Sequence, residues 1–139
     1  MKKTRLILII LGISSLILLT IGITFYMKYV TNIQDGEDVI VTAIINYGSL
    51  KPGAQDEYNV TIQTGSTALQ VFASIAELDL LNYSFGAYIR GVNSYTEQLP
   101  NYWGFYYFDF NTRSWIYSAI GVDQYQIEDE SKIKLEYTG

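Results

Sequence analysis

Hydrophobic and polar residues alternate along several segments after residue 37, and this period of two is typical of β-strands. Strict alternation predicts strands at Glu57–Gln63 and Lys132–Thr138. A β-branched run predicts a buried first strand at Val39–Tyr47. Pro52-Gly53 predicts a turn between the first two strands. The domain is therefore expected to begin with a hairpin and to end with a strand.

A helical period follows the second strand. Thr67 and Gln70 have the spacing of a capping box, in which each side chain satisfies a backbone N–H at the start of a helix. Apolar residues then recur at the spacing of one helix face, which predicts a helix to about Leu78 that lies on the sheet. We expect three of these residues to be in the core: Val71, Phe72 and Ile75.

An aromatic-rich run, Asn101–Tyr117, predicts two more strands joined by the polar turn Asn111–Arg113. Its first strand is apolar on both faces. Alternation puts Trp103, Phe105 and Tyr107 on one face and Tyr102, Tyr106, Phe108 and Phe110 on the other. A sheet in a small domain usually has one solvated face, so chain, ligand or partner has to cover the second aromatic face.

The predicted order is β-β-α-β-β-β-β, with a further strand at Ala87–Asn93. This order is typical of an α+β, β-grasp-like single domain, in which one helix packs on a mixed sheet and the last strand pairs beside the first. Asp79–Phe85 is expected to be mainly a connection, with room for one short strand, and Ser94–Asn101 to be a polar loop.

The first residues of the chain predict a membrane anchor. Residues 6–27 carry no charge and are numerous enough to cross a membrane as a helix. Basic residues at 2, 3 and 5 predict that residues 1–5 are a cytoplasmic tail. Residues 28–37 would then be a juxtamembrane linker and residues 38–139 an extracellular domain on a single-pass protein of the cell membrane. The alternative is a cleaved signal peptide, although its apolar region would be shorter, about 7–15 residues.

Charge and composition limit the possible functions. All fourteen acidic residues but only six of the nine basic ones lie in 28–139, which gives this part a net charge of −8. Such a domain is not expected to bind nucleic acid. The chain has no cysteine and no histidine, which excludes nucleophilic or zinc sites built on these residues. Glu128–Glu130 lacks the ligand spacing of a calcium loop, and no metal site is expected.

Several segments, in this order, resemble the transcobalamin-like C-terminal domain family, a group of uncharacterised prokaryotic surface modules. They are Phe85–Asn93, Tyr102–Phe105, Gly121–Glu130 and Leu135–Thr138. The resemblance covers about Val39 to Thr138 and implies a β-grasp-like fold. It departs from the family at two turns, where Asp109–Arg113 and Asp129-Glu130 replace the usual Asn-Gly and Asp-Gly.

The same resemblance implies a function. In the cobalamin carriers transcobalamin and intrinsic factor, this domain closes over cobalamin held by a separate helical barrel. It therefore implies a small extracellular binding module, with cobalamin as one possible ligand, and no enzyme or cofactor is expected. It also implies that Trp103 and Phe105 pack under the helix as core residues, whereas Tyr102, Gly104 and Tyr106 face outward.

The outward aromatic residues are the best candidates for a ligand-binding site, since flat amphipathic rings suit a planar or saccharide ligand. Two alternatives stay open: a docking patch for a surface protein, and cross-strand pairing that only stabilises the sheet. A hydrolase with paired carboxylates is a weaker possibility. Two sequons, at Asn59 and Asn82, are candidate glycosylation sites. The candidate ligand-binding residues are Tyr95, Tyr102, Tyr106, Trp115 and Tyr117.

Overall fold

The computed structural model describes Lys3, residues 14–28 and residues 36–139. The chain divides into two compact units, Met1–Gly36 and Glu37–Gly139. In the first unit, residues 14–28 are helical and expose most of their apolar side chains.

The predicted tail, anchor and linker (1–5, 6–27 and 28–37) lie partly outside the described residues. Over residue 3, residues 14–28 and residues 36–139, no helix combines the length and the apolar character that a membrane span requires.

The second unit is an α+β domain with two sheets. Its helix is α1 (Ala68–Ile75), and its strands are β1 (Asp38–Asn46), β2 (Gln55–Gln63), β3 (Leu78–Tyr83), β4 (Gly86–Val92), β5 (Tyr95–Thr96), β6 (Trp103–Asp109), β7 (Ser114–Tyr117) and β8 (Lys132–Tyr137). A five-stranded sheet has the order β2-β1-β8-β6-β7, and a three-stranded sheet has the order β3-β4-β5.

The five-stranded sheet is mixed. The last strand, β8, pairs in parallel with β1, with Ala43 opposite Ile133 and Ile45 opposite Leu135. The prediction that the last strand pairs beside the first is therefore confirmed. All other pairs in this sheet are antiparallel, so β8 joins the N-terminal hairpin to the aromatic hairpin.

The expectation of a single sheet was wrong, because the segment after the helix forms a longer strand than predicted. Ala76 already has extended backbone angles, so α1 ends at Ile75 rather than near Leu78. Asn93 then binds Glu77 twice: its N–H donates to the Glu77 carbonyl at 2.8 Å, and its Oδ1 accepts from the Glu77 N–H at 3.0 Å. This clamp places Leu78 opposite Val92 and starts the β3–β4 pairing. The predicted polar loop likewise contains the short strand β5.

The core lies between the five-stranded sheet and α1. Alternate residues of β1 and β8 are buried there, since the side chains of one strand face are covered while those of the other are not. Phe72 of α1 is fully buried, and its ring meets that of Phe105 at 6.3 Å in an edge-to-face arrangement. The side chains of the two strands that belong to this core are Val39, Val41, Ala43, Ile45, Ile133, Leu135 and Tyr137.

The start of α1 is fixed on both sides. Thr67 and Gln70 form the predicted capping box: the Gln70 N–H donates to the Thr67 hydroxyl at 3.4 Å, and the Thr67 N–H donates to Gln70 Oε1 at 2.8 Å. The next two amides, of Ala68 and Leu69, donate to the carbonyls of Tyr125 and Val122, each at 2.9 Å. The segment after β7 is therefore attached to the helix N-terminus.

Removal of the cap gives a first test of this account. Thr67→Ala is expected to lower the free energy of unfolding by about 1 kcal/mol, because an N-cap hydroxyl is lost while the neighbouring amides keep their carbonyl partners. Urea denaturation of residues 37–139 measures the change. Thr67→Ser, which keeps the hydroxyl, should lose much less, and an equal loss in the two variants would contradict the capping role.

Candidate functional site

One face of the β6–β7 hairpin carries the outward aromatic residues. Tyr106 lies opposite Tyr117 and Phe108 opposite Trp115 in the antiparallel register. The rings of each pair meet edge to face, with centroids 5.4 and 5.3 Å apart. Tyr102 precedes β6 on the same face, and its backbone N–H and carbonyl pair with Thr138 at 3.0 and 2.9 Å. We call this surface the outer aromatic face, comprising Tyr102, Tyr106, Phe108, Phe110, Trp115 and Tyr117.

The ring of Tyr106 lies over the backbone of Gly104, and this close packing shapes the outer aromatic face. A Cβ atom at Gly104 would stand 2.8 Å from Tyr106 Cε2 and 3.2 Å from its hydroxyl oxygen. Only a residue without a side chain lets the ring lie so close to the strand. The absence of a side chain at Gly104 therefore keeps Tyr106 low against the sheet, beside Tyr102.

Lys134 fills the space between the two rows of rings. It lies opposite Tyr106 on β8, and its Nζ is 5.0 Å from the centroid of Tyr106 and 4.9 Å from that of Trp115. Its side chain is 13% exposed and forms an ion pair with Glu136. Cation–π contacts of this kind hold the ammonium group against the aromatic faces. The centre of the outer aromatic face is thus a closed, continuous surface.

The edge of the same face is more exposed. Phe110 and Tyr117 are 55% and 56% exposed, as is Ile40 at 56%. Lys132 Nζ lies 5.9 and 6.0 Å from the ring centroids of Phe108 and Phe110. A shallow pocket of about 350 Å³ is lined by Ile40, Phe110, Lys132 and Asp129.

The phenol of Tyr106 is partly shielded from water. Burial raises its pKa above the ordinary value of 10.0, and the charge of Glu136 and the nearby phenols of Tyr102 and Tyr117 raise it further. Burial also raises the pKa of Tyr125, which packs on Phe105 and Tyr107 under the sheet.

A spectrophotometric titration of tyrosinate tests this shielding. Because the folded state favours the protonated phenol, the stability that it contributes is complete below pH 10.0 and is lost as the pH rises through the higher folded-state pKa. We expect Tyr106→Phe to remove one late-titrating phenol and to reduce the loss of stability at alkaline pH. A variant with an unchanged late phase would contradict the shielding of Tyr106.

The structure brings together four of the five predicted ligand-binding residues and separates the fifth. Tyr95 lies away from the outer aromatic face, where its ring meets that of Tyr47 at 5.2 Å and its carbonyl accepts the Trp103 indole N–H at 2.9 Å. Its position is that of a packing residue at the rim of the core.

The residues predicted for the core lie in or beside it. Val71, Phe72, Trp103 and Phe105 are buried, and Ile75 is partly buried against the core. Both sequon asparagines are exposed. Asn59 lies on β2, where its Oδ1 accepts the Thr42 hydroxyl at 3.2 Å, and Asn82 lies near the end of β3.

Two acidic residues that lie at turns accept hydrogen bonds. Asp109 accepts hydrogen bonds from the Thr112 hydroxyl at 2.8 Å and the Asn111 N–H at 2.9 Å, and these bonds lower the pKa of its carboxyl group. Asp129 accepts the Ile40 N–H at 2.9 Å. Across the described parts of the chain, acidic residues form no group of three or more that could hold a metal ion.

A second concave surface, which the sequence did not predict, separates the two sheets. Residues 87–89 of β4 line it on one side, and Trp103 and Phe105 of β6 line it on the other. Residues 118–122 close one end, and the resulting space has a volume of about 230 Å³. We call it the intersheet cleft, defined by its five aromatic residues: Phe85, Tyr88, Trp103, Phe105 and Tyr117.

Comparison with known proteins finds solved structures with a similar fold but does not identify a family. Part of haptocorrin, in a crystal structure with Cbi, is similar over 73% of this chain with a TM-score of 0.60 and 14% identity. This chain covers 25% of haptocorrin, so it spans about a quarter of that protein. A proposed metal-binding protein from Ruminococcus gnavus ATCC 29149 is similar over 72% of this chain and 96% of its own, with a TM-score of 0.54 and 12% identity. No protein-family profile and no curated protein sequence matches the chain.

Proposed function

We propose that this domain is a binding module and that the outer aromatic face captures a flat, cobalamin-type ligand. The observation that carries the proposal is the continuous aromatic surface on one side of the β6–β7 hairpin. Flat rings stack well on a planar ligand, and exposed apolar patches mark binding sites. The likeness to haptocorrin with Cbi, a cobalamin analogue, supports this ligand class.

Size favours the outer aromatic face over the intersheet cleft for such a ligand. Sites for drug-sized molecules have volumes of about 300–1,000 Å³, whereas the cleft measures about 230 Å³. A macrocycle can lie only on the open face. There it keeps its other side exposed. A second body would cover the ligand from above.

We further propose that the module belongs to the transcobalamin-like C-terminal domain family, has a β-grasp-like core and works outside the cell without catalysis. The parallel pairing of β8 with β1 supports the β-grasp description. The uncharged run 6–27 supports anchoring of the module to the cell membrane. Extraction of membranes with alkaline carbonate tests the anchor: the full chain should stay in the membrane pellet, and its release would contradict anchoring.

Equilibrium dialysis of residues 37–139 against cobinamide and cobalamin tests the capture of a ligand. We expect saturable binding that Tyr106→Ala weakens roughly tenfold or more, since a stacking ring at the centre of the face is lost. Tyr83→Ala is the control, because Tyr83 is a tyrosine on the three-stranded sheet rather than on the outer aromatic face. Absence of saturable binding, or an equal loss in the two variants, would contradict the proposal.

A protein partner is the second candidate function. The observation that favours it is the exposed edge where Ile40 and Phe110 lie beside Asp129 and Lys132. Apolar side chains ringed by charges are typical of protein contacts. In that case the dialysis experiment gives no binding, whereas Phe110→Ala weakens association with the partner.

A further inference from the structure

The intersheet cleft differs from the outer aromatic face in shape. Trp103 and Phe105, 4% and 8% exposed, form its inner wall, whereas Phe85 and Tyr117, 66% and 56% exposed, stand at its mouth. Its volume of about 230 Å³ suits one small chemical group. Tyr117 is the residue that the two surfaces share, because it also meets Tyr106 on the outer side.

Two polar side chains of the cleft are already engaged. The Trp103 indole N–H donates to the Tyr95 carbonyl at 2.9 Å. The Ser118 hydroxyl donates to the Ile120 carbonyl at 2.9 Å and accepts the Ile120 N–H at 3.3 Å. These two side chains therefore offer a neutral polar ligand no free hydrogen-bond donor. The walls favour a group that needs no hydrogen-bond partner.

Two carboxylates outside the cleft bind residues that line it. The Tyr88 hydroxyl donates to the Glu97 carboxylate, and the Asp123 carboxylate accepts the Ala87 N–H at 3.0 Å. The residues that line the cleft include no lysine or arginine. The cation on the same strand, Arg90, is held by Asp79 through bonds of 2.8 and 3.0 Å. The charge of these two carboxylates therefore favours a cation near Ala87 and Tyr88.

We propose that the intersheet cleft is a second binding site, which takes a small quaternary ammonium group. Such a group carries a positive charge but no N–H donor, so engaged polar side chains cost it nothing. Aromatic faces attract it electrostatically, and the attraction is stronger where water is excluded. The carboxylates of Glu97 and Asp123 supply the compensating charge, and the choline headgroup has the required chemistry.

This proposal does not rest on ligand capture on the outer aromatic face, although Tyr117 belongs to both surfaces. The two tryptophans of the chain separate the surfaces, because Trp103 lines the cleft and Trp115 belongs to the outer face. A signal from Trp103 can thus be followed without any ligand on the outer face. Failure at one surface leaves the other proposal standing.

The test is a fluorescence titration of the full chain carrying Trp115→Phe, so that Trp103 is the sole reporter. The ligands are choline and the neutral alcohol in which a carbon atom replaces the nitrogen of choline. We expect choline to bind roughly tenfold more tightly than the alcohol, because only the charged group gains from the rings and carboxylates. Equal affinities, or no saturable change with choline, would overturn the proposal.

A matched pair of variants locates the charge. Glu97→Gln keeps an acceptor for the Tyr88 hydroxyl but removes the negative charge, and it should weaken choline binding roughly three- to tenfold without affecting the alcohol. Glu57→Gln makes the same change on β2, at the far edge of the five-stranded sheet, and should have little effect. An equal loss in the two variants would show a general effect of net charge and overturn the assignment to the cleft.

Discussion

Phe72→Ala is expected to lower the free energy of unfolding of residues 37–139 by about 3–5 kcal/mol, the usual cost of deleting a fully buried aromatic ring. The ring has no exposed surface and contacts Phe105 across the interface between α1 and the sheet. Its removal leaves a cavity that rigid strands on one side cannot fill. The loss is a large fraction of the stability of a small domain, about 5–15 kcal/mol. Urea denaturation followed by circular dichroism measures it.

Two further variants make this result interpretable. Phe85→Ala removes the same atoms from a side chain that is 66% exposed, and its cost should stay within roughly 0.5 kcal/mol. Phe72→Leu keeps most of the volume and should cost about 1 kcal/mol, so it remains measurable if Phe72→Ala does not fold. Similar losses for Phe72→Ala and Phe85→Ala would show that α1 does not pack as described.

Gly48→Ala is expected to lower the free energy of unfolding by roughly 2 kcal/mol or more, because backbone strain and a steric clash act together. Gly48 has φ +52°, and a Cβ atom there would overlap the carbonyl oxygen of Tyr137. Its N–H also donates to Asn46 Oδ1 at 3.1 Å, so the backbone has little freedom to move away. The thermal midpoint of residues 37–139 should fall accordingly.

Gly53→Ala separates strain from the clash. Gly53 has φ +76°, but a Cβ atom there would meet no heavy atom within 4 Å. We expect Gly53→Ala to lower the free energy of unfolding by about 1 kcal/mol, from backbone strain alone. The additional loss of stability in Gly48→Ala then reports the steric clash where the β1–β2 connection approaches the end of β8. Equal costs at the two glycines would contradict that approach.

The sequence predicts the elements whose signals are local. Thr67 and Gln70 lie within one turn of each other, and the alternation of Ile133, Leu135 and Tyr137 is complete within β8. The last strand beside the first was also predicted correctly, although only through a known topology. These features follow from neighbouring side chains and need no information about distant partners.

The division into two sheets is not local. Leu78–Tyr83 has two adjacent leucines and no clear alternation, so its strand character depends on pairing with β4 and on the two bonds between Glu77 and Asn93. The strand β5 has two residues and is defined by its pairing with β4. Sequence patterns do not contain such long-range pairings.

The candidate surfaces show the same limit. Alternation places Tyr106 and Tyr117 on one face, since each lies within a regular strand. Tyr95 offers no such pattern, and its place beside Trp103 depends on a hydrogen bond between separate elements. The intersheet cleft combines Phe85, Tyr88 and residues after β7, which only the tertiary fold brings together. Gly104, inside β6, indicates that another group approaches the strand closely. The sequence does not show that this group is the ring of Tyr106.

Quenching of single tryptophans by cobinamide tests the central claim most directly. Trp103→Phe leaves Trp115 on the outer aromatic face, and Trp115→Phe leaves Trp103 in the cleft. If the outer aromatic face captures the ligand, quenching saturates strongly in the protein that keeps Trp115 and weakly in the one that keeps Trp103. Saturable quenching of Trp103 alone, or of neither residue, would contradict capture on that face.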